Sequence, residues 1–272
     1  MQCLRTLMAS SALPHLETRM LWQHVLGVSR TWLFTHDTDP ISDDAVKQYR
    51  ALERRRLAGE PMAYILGERE FMGHMFSVTP DVLIPRPETE LLVETALHAV
   101  ARLQSPKVLD LGTGSGAIAI SIALARPDAT VVATDISVAA LKVARANATR
   151  LGASVGFFAG SWYDALATHE DFDVIVSNPP YIAVCDAHLG QGDVRFEPSR
   201  ALTDGADGLG AIRAIVSGSH HWLRRGGALY LEHGWDQGDA VRQLLQQARF
   251  ERVRSLPDLA GIDRVTGGYL PI

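Results

Sequence analysis

The sequence has few of the features that mark secreted, membrane or metal-binding proteins. Its only cysteines are Cys3 and Cys185, and two such distant thiols suggest no disulfide framework, so we expect a reducing, cytoplasmic setting. No stretch approaches the roughly 18 apolar residues of a membrane span. The polar residues that follow Pro14 do not fit the apolar core of a secretory signal. No cluster of histidines and cysteines has metal-ligand spacing, so we expect no bound metal.

An excess of basic residues is also missing. The 272-residue chain has a formal net charge of −5; residues 1–86 are close to neutral, so the acidic excess lies in residues 87–272. A protein that grips duplex nucleic acid by its phosphates needs a basic surface, so we expect no direct nucleic-acid binding. With 47% hydrophobic and 21% charged residues, the composition is that of a globular protein of one or two domains.

The periodicity of apolar residues divides the chain into three parts. Residues 1–66 show helical spacing and no strand-like run, which predicts a small all-helical domain. This bundle carries no chemical motif, so it either recognises a partner or caps the catalytic domain. Apolar runs at 71–78 and 82–84 predict a β-hairpin within residues 67–86 that joins the two domains. Residues 87–272 form the larger, catalytic domain.

Strand and helix patterns alternate through the larger domain. Strands are predicted at 107–111, 129–134, 155–159, 172–177, 227–232, 251–256 and 264–270, and helices at 116–126, 137–151, 208–224 and 237–248. Such alternation predicts an α/β fold with a mostly parallel sheet covered by helices on both faces. The loop between the last two strands is too short for a crossover helix, so these strands should form an antiparallel hairpin at one edge.

The segment Asp173–Tyr181 ends a buried β-branched run with Ser-Asn-Pro-Pro-Tyr. The prolines hold Asn178 and Pro179 extended at the carboxyl end of a strand, which is where open α/β sheets bind ligands. The Asn178 side chain and an unused backbone carbonyl offer two acceptors to an incoming –NH₂ group, and Tyr181 offers a flat face beside them. A strand that simply ends in a proline turn is the alternative.

A glycine loop, Gly112–Gly116, follows the strand at 107–111. Its glycines let the backbone approach a ligand closely, and the spacing also fits a dinucleotide-binding loop. Asp110, at the strand tip, should face the pocket and suits a cationic ligand group better than a pyrophosphate. Asp135 ends the next strand and can accept hydrogen bonds from both hydroxyls of a ribose. Because NAD uses the same contact, Asp135 does not distinguish a dinucleotide from another nucleoside ligand.

Together these motifs resemble the class I S-adenosylmethionine-dependent N-methyltransferases, which have a Rossmann-like fold. Ile84–Glu90 (Ile-Pro-Arg-Pro-Glu-Thr-Glu) narrows the resemblance to the protein-(glutamine-N5) methyltransferases of the PrmC/HemK type, which modify class I peptide-chain release factors. Glu197-Pro198, Asp204–Leu209 and Leu231–Trp235 agree with this family. The resemblance covers the helical domain, the hairpin and the whole catalytic domain.

The resemblance implies a cofactor, a substrate and a set of site residues. The cofactor is S-adenosyl-L-methionine, with S-adenosyl-L-homocysteine as product, and the partner is a release factor methylated by a monomeric enzyme. Cofactor-binding residues are expected at Asp110, Gly112, Thr113, Gly114, Ser115, Gly116, Asp135, Trp162 and Asn178. Catalytic residues are expected at Asn178, Pro179 and Tyr181, with Pro180 also contacting substrate. Trp162 could instead be a packing residue, and we expect Arg86 and Glu197 to be structural, although Glu197 could reach the pocket.

Three other functions remain open on the residues alone. A glutamine methyltransferase acting on a ribosomal protein is the nearest alternative, and the sequence distinguishes it only weakly. An adenine-N6 methyltransferase would share Asn-Pro-Pro-Tyr and flip its base into the same slot, but it should also carry a basic recognition region. A dehydrogenase would explain the glycine loop and Asp135 but would leave Asn178–Tyr181 without a role.

Overall fold

The computed structural model describes residues 2–167 and 171–272. The chain divides into two compact units, Met1–Glu68 and Arg69–Ile272. Among the described residues, none of the helices is both long and apolar enough to cross a membrane.

The first unit is helical, as the sequence predicts. Its helices are α1 (Leu4–Ala9), α2 (His15–Leu26), α3 (Arg30–Thr35), α4 (Asp43–Leu57) and α5 (Met62–Leu66). Ser42 caps α4 by accepting from the Ala45 N–H, which satisfies one of the free donors at a helix start. The centre of the unit is a parallel stack of Trp22 on Tyr49, with ring centroids 4.3 Å apart.

A short hairpin opens the second unit. Strands β1 (Glu68–Phe71) and β2 (His74–Ser77) pair with each other, but the expected strand at 82–84 is wrong, because this segment is irregular. The Ile84 N–H donates to a side-chain oxygen of Glu197 at 3.0 Å instead of to a neighbouring strand. Prolines on both sides of the segment remove further ladder donors.

The remaining elements alternate as predicted. After a 3₁₀ turn at Pro87–Thr89, the helices are α6 (Glu90–Ala99), α7 (Ala117–Ala125), α8 (Val138–Leu151), α9 (Gly210–Trp222) and α10 (Gly238–Gln247). The strands are β3 (Lys107–Leu111), β4 (Thr130–Asp135), β5 (Gly156–Ala159), β6 (Phe172–Ser177), β7 (Leu223–Glu232), β8 (Glu251–Pro257) and β9 (Asp263–Tyr269).

The larger sheet has seven strands in the order β5-β4-β3-β6-β7-β9-β8. The first five run parallel, while β9 pairs antiparallel with both β7 and β8, so the predicted antiparallel edge is confirmed. Strand order reverses between β3 and β6, each of which continues into its own loop at the carboxyl end. In open α/β sheets this switch point is where ligands bind.

Alternating side chains of the sheet pack into two apolar layers, one on each face. Val108, Val174 and Val176 pack with α6, α7 and α8 on one face. Leu109 and Ile175 pack with α9 and α10 on the other face. Since both faces are buried, the central strands are apolar almost throughout, and polar groups appear where the strands end.

Candidate active site

A cavity opens at the carboxyl ends of the parallel strands. Its empty volume, counted out to the open mouth, is about 1060 Å³. The lining comes from the segments that follow four neighbouring strands and from the segment before α6, namely Asp81–Leu83, Pro85, Arg86, Thr89, Gly112–Ser115, Asp135–Ser137, Gly160–Trp162, Asn178 and Pro180, with Ala117, Ile118, Ala140, Pro198, Arg200 and Ala201. The topology therefore brings together the glycine loop and the Asn-Pro-Pro segment.

Asp135 holds the glycine loop in place. One carboxylate oxygen, Oδ2, accepts from the Gly114 N–H at 2.8 Å, and the other, Oδ1, accepts from the Ser137 N–H at 2.8 Å. Burial raises the pKa of this carboxyl, and the two backbone N–H groups and Arg200 oppose the rise. A carboxylate has about four acceptor positions, so Asp135 keeps roughly two of them for a ligand in the cavity.

Asp110 lies beneath the loop and does not line the cavity, so the expectation that its carboxylate faces the ligand is not met. The Thr113 hydroxyl donates to its Oδ2 at 2.6 Å, while Oδ1 makes no hydrogen bond of standard geometry within the described residues. Burial raises the pKa of Asp110 to about 7, and the neighbouring Asp135 charge adds to the rise. The geometry makes Asp110 a support for the turn that carries Thr113.

Trp162 forms one wall of the cavity. Its backbone is left-handed, with φ of +46°, which costs energy in a residue other than glycine and tends to persist at functional sites. The ring lies directly over the glycine loop, because a Cβ atom at Gly112 would come within 3.3 Å of ring atom Cζ3. Gly112 therefore leaves room for an aromatic wall close to the backbone. On its other side the ring packs against the apolar layer of α9 and α10.

Asn178 lines the cavity with its side-chain amide held in one orientation. The amide nitrogen Nδ2 donates to the Thr89 hydroxyl at 3.1 Å. Its oxygen Oδ1 has no hydrogen-bond partner within the described residues, and the same holds for the backbone carbonyl of the buried Pro179. Two adjacent acceptors therefore remain available for an –NH₂ group.

Tyr181 is placed differently from the expectation that it packs flat against the acceptor group. It does not line the cavity, and its hydroxyl points to Glu232 Oε1 at 3.4 Å. Its backbone carbonyl accepts from Gln237 Nε2 at 3.0 Å, which ties the Asn-Pro-Pro-Tyr turn to the segment before α10. Pro180 lines the cavity, whereas the buried Pro179 does not.

Residues of the Ile84–Glu90 motif hold two other segments of the larger unit. Arg86 forms an ion pair with the buried Glu197, which also receives the Ile84 N–H. The Glu90 carboxylate accepts from the Met72 N–H at 2.7 Å, which fixes the hairpin turn. Arg86 lines the cavity and Glu197 does not. The contacts make the motif a clamp beside the site, and the structural role expected for Arg86 and Glu197 stays a prediction.

Asn147, on α8, is a site residue that the sequence did not reveal. It is fully buried, and its Nδ2 donates to the carbonyls of Ser77 and Ser115, both at 3.0 Å. Its Oδ1 accepts from the Ser77 N–H at 2.8 Å. One side chain therefore joins the hairpin to the glycine loop. No local motif marks it, because its partners lie far away along the chain.

The cavity suits S-adenosylmethionine on three structural grounds. Asp135 retains acceptor capacity for ribose hydroxyls, and Trp162 with Ile136 supplies apolar surface for a flat base. The left-handed glycine backbone at Gly112 and Gly114 allows a ligand to approach the loop closely. Together with the sheet order, this site defines a class I methyltransferase that uses S-adenosylmethionine.

Comparison with known proteins narrows this class. Residues 2–67 match the family described as PrmC N-terminal domain, and residues 87–192 match the methyltransferase small domain. Release factor glutamine methyltransferase of Bordetella pertussis (strain Tohama I) is 60% identical over 270 residues, which are 99% of this chain and 100% of that protein. The protein of the same name from Burkholderia pseudomallei (strain K96243) is 56% identical, over 97% of this chain and 95% of its own.

A solved structure supports the fold alone. The T. thermophilus 16S rRNA N2 G1207 methyltransferase, in complex with AdoMet and guanosine, aligns with a TM-score of 0.56 at 22% identity, over 75% of this chain and 49% of that chain. The chain belongs to the release factor glutamine methyltransferase family. The dehydrogenase alternative accordingly falls away.

Proposed function

We propose that the protein transfers a methyl group from S-adenosylmethionine to the side-chain nitrogen N5 of the glutamine in the Gly-Gly-Gln loop of a class I peptide-chain release factor, in support of translation termination. The observation that carries the proposal is the uncharged Asn178 amide at the cavity, whose Oδ1 is left free to accept while Nδ2 bonds to Thr89. The carbonyl of the next residue, Pro179, is also without a partner among the described residues. A primary amide is the group that this pair matches, and the names of the close relatives agree.

The cofactor site in this proposal consists of the glycine loop Gly112–Gly116 along the amino-acid part, Asp135 at the ribose and Trp162 at the adenine. Asp110 contributes by supporting the loop from below through Thr113. When bound, S-adenosylmethionine supplies a methyl group made electrophilic by its sulfonium. The chain itself supplies a fixed loop and an aromatic wall, so little reorganisation is needed on binding.

The acceptor amide is a weak nucleophile, because its lone pair is delocalised into the carbonyl. Asn178 Oδ1 and the Pro179 carbonyl would accept its two N–H groups, which aims the nitrogen and stabilises positive charge that develops on it. Asn178 is neutral and acts here as an acceptor of hydrogen bonds. Leu83, at the cavity wall, and Pro180 exclude water from the acceptor slot.

The first unit serves, in this proposal, to bind the release factor away from the reacting atom, since binding energy gained there can be used to position the glutamine. The acidic net charge disfavours a nucleic-acid acceptor, whose phosphates it would repel. The free cysteines, of which Cys185 is exposed, fit a reducing cytoplasm. We further propose that the enzyme acts as a monomer.

The test is methyl transfer from radiolabelled S-adenosylmethionine to purified acceptors. A release factor should be labelled on one glutamine, and a release factor with that glutamine changed to asparagine should not, because the shorter side chain does not reach the site. A ribosomal protein and a tRNA or DNA fragment serve as comparison acceptors. Efficient labelling of one of these, with none of the release factor, would overturn the proposal.

A further inference from the structure

A buried carboxylate with no role in the proposed chemistry lies behind Asn178 and Tyr181. Glu232 ends β7 and is 1% exposed. The Tyr181 hydroxyl donates to its Oε1 at 3.4 Å. The Thr89 hydroxyl lies close enough to lower the pKa of this carboxyl, and Oε2 has no partner of standard geometry within the described residues. Thr89 is the same hydroxyl that holds the Asn178 amide.

The groups around Glu232 come from several elements. Burial raises its pKa to about 7, and the neighbouring Glu88 charge adds to the rise, whereas Thr89, Tyr181 and Arg264 oppose it. The ring of His233, the next residue, bonds to the Thr266 hydroxyl and not to Glu232. A carboxyl in these surroundings changes protonation near neutral pH.

The chemistry of these groups fixes the direction of the hydrogen bonds. An ionised carboxylate has no proton to give, so it can only accept. If the Thr89 hydroxyl donates its single proton to Glu232, it can only accept from Asn178, as the Asn178 Nδ2 contact at 3.1 Å requires. Only the –NH₂ end of the Asn178 amide can donate, so that end turns to Thr89 and Oδ1 is left for the acceptor group. A protonated Glu232 can donate to Thr89 instead, which allows the Asn178 amide to turn over.

We infer that Glu232 is a positioning residue for methyl transfer, whose carboxylate sets the orientation of the Asn178 amide through the Thr89 hydroxyl and also holds the Tyr181 hydroxyl. The inference rests on the proposed function, because it assigns a role in presenting the acceptor glutamine. It also gives a reason for the proximity of Thr89, in the Ile84–Glu90 motif, to Glu232 at the end of β7.

The inference predicts how turnover depends on pH. The carboxylate form is the orienting form, and it predominates above a pKa of about 7. Turnover, kcat, should therefore fall as the pH is lowered through that value, since kcat reports groups in the enzyme–substrate complex. At each pH the dissociation constant for S-adenosylhomocysteine should be the same for wild type and for a variant at Glu232, because Glu232 does not line the cavity.

The experiment compares wild type with Glu232→Gln, using a purified release factor and radiolabelled S-adenosylmethionine from pH 5.5 to 9. The variant keeps the size of the side chain but offers an –NH₂ group to one of the two hydroxyls. We expect kcat to drop roughly tenfold or more, as for lost supporting hydrogen bonds around other sites, with the acid limb near pH 7 abolished. The KM for the release factor should stay within about twofold, since the loss concerns orientation.

Asp173→Asn is the matched control. Asp173 is another buried carboxylate, at the start of the neighbouring strand β6, where it accepts from the Lys107 N–H at 2.6 Å. This variant should keep the acid limb of the wild type. Equal kcat and pH profiles for wild type and Glu232→Gln would overturn the inference, whereas a wild type that never labels the release factor would overturn the proposed function and the inference with it.

A second pair of variants decides the matter if Glu232→Gln does not fold. Thr89→Val removes the relaying hydroxyl at nearly constant volume and should lower kcat to a similar extent, and Thr89→Ser should regain most of that loss. Where both single variants fold, the double variant with Glu232→Gln should be no slower than either alone, because the two residues act in one chain. A Thr89→Val enzyme with wild-type kcat, or independent losses in the double variant, would overturn the inference.

Discussion

Replacing Asp135 by alanine tests the cofactor site most directly. The side chain accepts two backbone N–H groups, at 2.8 Å each, and retains acceptor capacity towards the cavity. The Gly114 and Ser137 N–H groups lie close to the cavity, so water can replace part of what they lose. The alanine variant cannot form the hydrogen bonds between a charged carboxylate and the ribose hydroxyls, which amount to about 1–3 kcal/mol. Affinity for S-adenosylhomocysteine should fall by roughly 5- to 150-fold.

Titration calorimetry with S-adenosylhomocysteine measures this loss, and thermal unfolding checks that the variant is folded. Asp128→Ala is the control, because Asp128 pairs with Arg126 at the opposite end of β4 and lies outside the cavity. Its dissociation constant should match that of the wild type. A folded Asp135→Ala protein with unchanged affinity would refute the assignment of Asp135 to the ribose. Tight NADH binding by the wild type would refute the choice of ligand.

Three further predictions concern chemistry, stability and domain roles. Asn178→Ala should retain most cofactor affinity and lose roughly 10²-fold or more in kcat, the scale for one preorganised polar group; near-normal turnover would make Asn178 a turn residue. Gly116→Ala places Cβ 2.7 Å from Ile120 Cδ1 and 3.1 Å from Ala144 Cβ, whereas Gly152→Ala also has a positive φ but nothing within 4 Å. In denaturant titrations Gly116→Ala should therefore lose about 1–3 kcal/mol more stability, by overpacking, and equal losses would contradict this. Deletion of residues 1–66 should reduce methylation of a release factor far more than S-adenosylhomocysteine binding, if circular dichroism shows a folded remainder; unchanged methylation would leave that unit as a stabilising cap.

The sequence predicts the fold of residues 107–272 well because short apolar runs alternate with longer segments of helical spacing. Most boundaries agree to within one or two residues. Strand β7 begins at Leu223, earlier than the predicted 227, because Leu223 already pairs with Phe172 of β6. The pairing is then irregular before it resumes at Ala228. Val82–Ile84 looks like a strand by composition, but the Ile84 N–H bonds to Glu197, 113 residues further along the chain, and the Val82 N–H bonds to the Thr79 carbonyl.

Contacts between residues far apart in the sequence also limit the prediction of the site. Motifs identify residues that follow strand ends, such as Gly112 and Asn178, because topology gathers strand ends at one edge. The contacts that orient them leave no local signal, although Thr89 and Glu232 lie in the Ile84–Glu90 and Leu231–Trp235 motifs. Asn178 meets Thr89 across 89 residues of chain, and Tyr181 meets Glu232 across 51. Asp110 lies beneath the loop and not at the cavity, where the sequence predicts it, for a related reason. The direction of its side chain depends on how the loop above it turns.

The bridge made by Asn147 has a consequence for how the chain folds during its synthesis. Ser77 leaves the ribosome 70 residues ahead of the side chain that satisfies both its N–H and its C=O. At translation rates of about 5–20 residues per second, the hairpin waits roughly 4–14 s for its partner. During that interval β2 is an unprotected strand edge, open to pairing with other chains. The polar side chains around it, including Glu68, Arg69, Glu70 and His74, then act as protection against aggregation before there is any sheet to join.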